Sequence, residues 1–217
     1  MDYSKVQPLG SKVLLKKRHD LCEPEKVGSI FIPQTTNATM RETKIGEIVA
    51  LGHGTASKDG TVAPIDLQAS GFCYYARYGV NRFEDPHGSD DELIMLNESA
   101  CLADVTLING KVTLAGITPR HDRVIVKELD MKGMTTSGII YKKQIDKDKQ
   151  VAEFRVIKCG PGKFDPKTGT RSEMTCQSGD LAITADINGA KFSIWEGESW
   201  NEYRLISESD LYCCCRE

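Results

Sequence analysis

The chain has 217 residues, 40% of them hydrophobic and 27% charged, with a formal net charge of −3. This is globular composition, and its slightly acidic balance leaves no electrostatic footprint for nucleic acid or a membrane surface. No apolar run approaches the roughly 18 residues that a membrane helix needs, and the opening Met1-Asp2-Tyr3-Ser4-Lys5 has neither a signal h-region nor an Arg-rich transit pattern, so the cytosol is the expected compartment.

Read from the start, the chain is a succession of short β-rich runs bounded by Gly, Asp, Asn or Ser. Lys12 to Lys16 is the first predicted strand. A long polar stretch, Arg18 to Thr43, follows and contains one apolar cluster, Ile30-Phe31-Ile32-Pro33, just after Gly28-Ser29. Strands are then predicted at Ile45 to Leu51, Phe72 to Tyr75 and Leu93 to Leu96, with an Asp-Gly hairpin turn at Lys58-Asp59-Gly60-Thr61. Val105 to Leu114 places Asn109-Gly110 between two β-branched runs, which predicts a hairpin and not a loose tether. Further strands are predicted at Val124 to Val126, Phe154 to Ile157, Leu181 to Ile183 and Tyr203 to Ile206. Between the first two lies a second polar stretch, Glu128 to Val151, with its own cluster Gly138-Ile139-Ile140-Tyr141. No window of 12 or more residues sustains helical periodicity, so the expected class is all-β, as a small barrel or sandwich.

The second half echoes the first at an offset of about 110 residues. Pro8-Leu9-Gly10-Ser11-Lys12-Val13-Leu14-Leu15-Lys16 recurs as Pro119-Arg120-His121-Asp122-Arg123-Val124-Ile125-Val126-Lys127. Gly52-His53-Gly54 recurs as Gly160-Pro161-Gly162, and Leu96-Asn97-Glu98-Ser99 as Ile206-Ser207-Glu208-Ser209. Similar order with small drift marks two tandem units, divided here as 1–108 and 109–217, held in a fixed relation by the hairpin-like junction. A hydrophobic triplet inside a polar loop is either a strand of the unit's own core or a docking peptide offered to a partner's groove.

Both units resemble the GroES-type co-chaperonin family. The family's opening Pro-Leu-His-Asp-Arg-Val-x-Val-Lys is matched closely by Pro119 to Lys127 and loosely by Pro8 to Lys16, where Gly10 and Ser11 replace His-Asp. Its Gly-Glu-Val-x-Ala-Val-Gly-x-Gly is matched by Gly46 to Gly54, of which the second unit keeps Gly160 and Gly162. Its closing Ser-Glu-Ser-Asp-Ile-Leu is matched by Ser207 to Leu211 and by Asn97 to Leu102. The resemblance implies two tandem GroES-like β-barrels, each with a mobile loop and a roof hairpin, the latter at Lys58 to Thr61 and Lys167 to Thr170. The chaperonin contacts are then Ile30, Phe31 and Ile32 in the first unit and Ile139, Ile140 and Tyr141 in the second. Each loop departs from the family's paired glycines, with Ser29 and Ser137 in the other places, and Tyr141 replaces a Leu.

The implied partner is a group I, GroEL-like chaperonin ring, engaged in an ATP- or ADP-dependent manner, with unfolded clients inside the capped cage. The implied assembly is a homo-oligomer of three or four chains, because family rings are sevenfold and two units per chain fill only even totals. Its closing contact would run from the Leu211 strand of one chain to the Val13 strand of another. No catalytic chemistry, cofactor or metal is expected, and no nucleic-acid or membrane partner. The alternative is an interaction module of the same fold, serving another partner or modulating a chaperonin, that no longer caps a folding cage. A virus-encoded form in a host cytosol and a processed organellar form are alternatives on location.

Other signals carry less. Gly160-Pro161-Gly162-Lys163-Phe164 fails the spacing of a phosphate loop, and Pro161 removes an amide donor. His19, His53, His87 and His121 are dispersed, with no base–nucleophile pairing. The barrel also occurs in zinc-dependent dehydrogenases, but a nucleotide-binding domain and zinc ligands are both missing here. Cys22, Cys73, Cys101, Cys159, Cys176, Cys213, Cys214 and Cys215 form no Cys-x-x-Cys pair, and three consecutive cysteines on a strand alternate faces. They are expected to be reduced, inert thiols without metal.

Overall fold

The structure is a computed structural model that describes residues 6–21, 26–27, 30–31, 43–56, 62–76, 81–83, 92–129, 132–134, 140–142, 151–165, 168–185, 189–197 and 199–216. Among them the β-branched runs form strands joined by turns and three-residue 3-10 turns, with no α-helix.

In the first unit the strands are β1 (Lys12–Lys17), β2 (Lys26–Val27), β3 (Ile30–Phe31), β4 (Thr43–Leu51), β5 (Thr55–Ala56), β6 (Val62–Ala63), β7 (Phe72–Ala76), β8 (Asn81–Phe83), β9 (Leu93–Asn97) and β10 (Cys101–Val105). β11 (Ile117–Pro119) follows the junction. The second unit has β12 (Arg123–Glu128), β13 (Lys132–Met134), β14 (Ile140–Lys142), β15 (Val151–Cys159), β16 (Phe164–Asp165), β17 (Thr170–Arg171), β18 (Leu181–Ala185), β19 (Ala190–Trp195), β20 (Trp200–Ser207) and β21 (Leu211–Cys215). All eight predicted strands are present.

The main sheets run β11-β10-β7-β4-β1-β9-β8 and β19-β20-β12-β15-β18-β21. The duplication extends to their irregularities. β1 shifts register against β4 between Leu14 and Leu15, as β12 does against β15 between Ile125 and Val126. The pairing of β10 with β7 and of β21 with β18 carries a matching shift near the start of each last strand. By that register Ala103, Asp104 and Val105 correspond to Cys213, Cys214 and Cys215.

Alternation along the strands gives each sheet two apolar faces. In the first unit Val13, Leu15, Ile48, Tyr75, Ile94 and Leu96 come from adjacent strands yet form one cluster, so the sheet curls around it. Val124, Val126, Phe154, Val156, Ala182 and Ile206 do the same in the second. The opposite faces meet between the units. Ile45, Tyr74, Leu102 and Val105 pack with Ile117, Ile125, Phe192, Ile194, Tyr203 and Leu205. The ring centroids of Tyr74 and Phe192 are 4.9 Å apart.

The repeated glycines sit where backbone crosses backbone. Gly52 and Gly54 donate N–H to the carbonyls of Lys12 and Gly10, at 2.8 and 3.0 Å; Gly160 and Gly162 donate to those of Arg123 and His121 at the same distances. Gly162 has φ +90°, and a Cβ there would overlap the Ser172 carbonyl oxygen. His121 and Gly10 occupy equivalent left-handed positions, φ 53° and 60°, so the glycine that breaks the family pattern in the first unit removes strain without changing the turn.

Candidate functional site

The first loop segment begins where β1 ends, and its exit is pinned. Lys17 Nζ lies 2.7 Å from Glu92 Oε2. The Arg18 guanidinium donates two 2.9 Å hydrogen bonds to Asp20 and one to Glu47, and lies over the Phe72 ring at 5.2 Å. The Asp20 pairing holds the Arg18 pKa above its ordinary value and the Asp20 carboxyl below its own. In the second unit Arg204, 4% exposed, plays a similar part. It bonds Glu128 at 3.0 Å and covers the Phe154 ring at 4.9 Å.

Beyond each exit stands a small ribbon that belongs to neither main sheet. β2 pairs with β3, with Val27 opposite Ile30 and Lys26 opposite Phe31. β13 pairs with β14, with Met134 opposite Ile140 and Gly133 opposite Tyr141. Of the six residues expected to contact a chaperonin, Ile30, Phe31, Ile140 and Tyr141 thus lie on the second strand of such a ribbon. Ile32 and Ile139 lie outside the described residues. In sequence the two ribbons fall between equivalent strands, β1 and β4 or β12 and β15. The β19–β20 hairpin reaches the same end of the second unit, because β20 runs antiparallel to β12 and starts beyond its last residue. At its tip Trp195 and Trp200 are direct cross-strand partners with ring centroids 5.7 Å apart, 49% and 40% exposed.

Roof hairpins occur at the equivalent place in both units. Ala56 pairs with Val62, and the expected Lys58 to Thr61 turn lies outside the described residues. Asp165 pairs with Thr170, and Gly169 returns the chain with φ +69°.

The junction is a hairpin, as Asn109-Gly110 predicts. Both residues have positive φ, 53° and 74°, and Ile108 and Lys111 exchange backbone hydrogen bonds. The returning strand, β11, pairs with β10: Ala103 with Pro119, Asp104 with Thr118 and Val105 with Ile117. Polar groups then lock the contact. Arg120, 4% exposed, donates to Glu98 at 2.8 Å, to Asp104 at 3.2 Å and to the Asp66 carbonyl. Arg171 pairs with the Asp66 carboxylate, and Lys158 donates to the Ile117 carbonyl at 2.6 Å. Burial, with the Asp66 and Glu98 carboxylates nearby, raises the Asp104 carboxyl pKa against the pull of Arg120. Burial, with Arg120 and Arg123 nearby, lowers that of His121.

The outer end of the second unit differs. β21 is the last strand of its sheet, and Val6 to Leu9, which correspond to β11 and Arg120, belong to no strand. Leu9 is 72% exposed. Here the structure also corrects the expectation of inert thiols, because Cys176 and Cys214 form a disulfide with a Cα–Cα distance of 6.1 Å. The fold brings β21 back over the segment before β18, across a separation of 38 residues that spacing alone does not reveal.

The family model described as Chaperonin 10 Kd subunit matches this chain twice, over residues 5–105 and 116–215. The chain belongs to this family. Among relatives, the 20 kDa chaperonin, chloroplastic, of Spinacia oleracea is 24% identical over 96% of this chain and 74% of its own length. The co-chaperonin GroES of Cutibacterium acnes is 34% identical over 44% of this chain and 90% of its own. That of Pelobacter propionicus is 28% identical over 46% and 98%. The GroES-type proteins thus cover about one unit each, and the chloroplastic protein covers both. The chain is a tandem GroES-like co-chaperonin of all-β fold.

Proposed function

We propose that this chain caps a group I, GroEL-like chaperonin cage and assists ATP-dependent folding of enclosed clients, without catalysis of its own. Units 1–108 and 109–217 each deliver one apolar triplet, Ile30-Phe31-Ile32 and Ile139-Ile140-Tyr141. The observation that carries the reading is the repeated, self-paired ribbon bearing Ile30 and Phe31 in one co-chaperonin unit and Ile140 and Tyr141 at the equivalent point of the other. A strand committed to the domain core would instead join a main sheet.

Burying one large aliphatic side chain is worth roughly 1.5–3 kcal/mol. Ordering a loop on binding costs about 2–5 kcal/mol. A single triplet therefore binds weakly, and several on one assembly gain through effective concentration while remaining releasable. The β10–β11 pairing supplies a template for assembly. The free edge of β21 takes the Val6–Leu9 segment of a second chain, and three or four chains close a homo-oligomer. The setting is the cytosol, or a plastid as the name of the spinach relative suggests.

Capture on an immobilised GroEL-type ring, with and without ATP, tests the reading. Nucleotide-dependent capture is expected for the natural chain. It should be lost when Ile30, Phe31, Ile32, Ile139, Ile140 and Tyr141 are all replaced by Ser, with the thermal melt unchanged. Capture indifferent to both triplets would overturn it.

A further inference from the structure

We infer that Cys213-Cys214-Cys215 is a redox-gated docking edge for the opening segment of a second copy of this chain. The inference rests on the head-to-tail assembly proposed above. Ala103, Asp104 and Val105, which pair with Pro119, Thr118 and Ile117, correspond in register to the three cysteines. The same pairing at the outer edge sets Cys213, Cys214 and Cys215 opposite Pro8, Gln7 and Val6.

The two edges are stabilised by different means. β10 is held on both sides, by β7 and β11, and Asp104 meets Arg120. Among the described residues β21 is held on one side only, by β18, and Cys214 occupies the place of Asp104. The disulfide stands on the strand that shows a single neighbour among the described residues. Its other end is rigidly set: Cys176 is 4% exposed, and Glu208 Oε1 accepts the N–H groups of Thr175 and Cys176 at 2.7 and 2.8 Å. With the bridge closed, β21 is fixed against β18 and ready to accept another strand. A dithiol reductant opens it by thiol–disulfide exchange. The S–S bond takes two electrons, Cys176 and Cys214 each gain a proton, and the dithiol becomes a disulfide. The edge strand then frays more readily and docking weakens. Cys213 and Cys215, exposed on the opposite face, leave the bridge untouched.

Native mass spectrometry of the full chain at micromolar concentration, before and after dithiothreitol, provides the test. The oxidised chain should form oligomers, and reduction should weaken association by at least about tenfold. Cys176→Ser should match the reduced state and ignore reductant, while Cys213→Ser with Cys215→Ser should keep the response. Equal assembly of both redox states, with bridge opening verified by the two-proton mass change, would overturn the inference. Absence of oligomers in both states would count against the proposed assembly, and hydrogen exchange then decides the gate. Amides of residues 211–215 must exchange faster after reduction, and unchanged rates would refute it.

Discussion

Arg120 of the second unit lies 2.8 Å from the carboxylate of Glu98 in the first, and its side chain is 4% exposed. A guanidinium so enclosed cannot lose its partners cheaply, because desolvation remains while the compensating charge goes. It joins the end of one unit to the start of the next, alongside the hairpin at Asn109-Gly110.

Glu98→Ala should therefore destabilise the chain by about 1–3 kcal/mol, as expected when an enclosed donor loses one of its acceptors. Replacing Arg120 by Met, which removes the charge and keeps much of the volume, should cost less. Denaturant unfolding of both variants checks the order. A smaller loss for Glu98→Ala than for Arg120→Met would contradict it.

The aromatic contact between the units gives a second test. Phe192→Ala should cost about 3–5 kcal/mol through the cavity it leaves. A double-mutant cycle with Tyr74→Leu should return a coupling of about 0.5–1.5 kcal/mol. Zero coupling would mean that the rings pack independently.

Cys159 supplies a pH prediction. Burial, with Glu208 and Asp180 nearby, pushes its thiol up to about 11. Between the ordinary thiol value and about 11, the folded chain keeps a proton that the unfolded chain has released. Stability should fall as pH rises through that window. Cys159→Ala should show a shallower loss than the natural chain in melts at the two ends of the window. Iodoacetamide at neutral pH should label exposed Cys213 well before Cys159.

Trp195 and Trp200 are the two tryptophans of the chain, at the loop-bearing end of the second unit. If that end meets the chaperonin, their emission should move to shorter wavelength on nucleotide-dependent docking. The shift should vanish with the six Ser substitutions in the triplets. Trp200→Phe should reduce the signal while leaving capture intact.

The strands legible in the sequence are those whose apolar residues pack on a neighbouring element, such as Val124 to Val126. β19 escaped although Phe192 and Ile194 alternate with Lys191 and Ser193, a period-two signal present in the residues themselves. β21 offered no such pattern, since Leu-Tyr-Cys-Cys-Cys has no apolar alternation. The ribbons were legible as apolar clusters after a glycine, but not as paired strands, because two-residue pairing leaves little periodicity. The Arg120 cluster and the Cys176–Cys214 bridge were invisible, because each joins residues brought together by the duplication's geometry rather than by spacing.

The pairing of β11 with β10 also sets a timetable for synthesis. Translation delivers the first unit's strands in order, yet the outer edge of β10 stays open until residue 119 has cleared the ribosome exit. During that interval a nascent chain offers an unpaired strand to its neighbours. The short Asn109-Gly110 turn keeps the interval brief, because only eleven residues separate the covering strand from the last position it must protect.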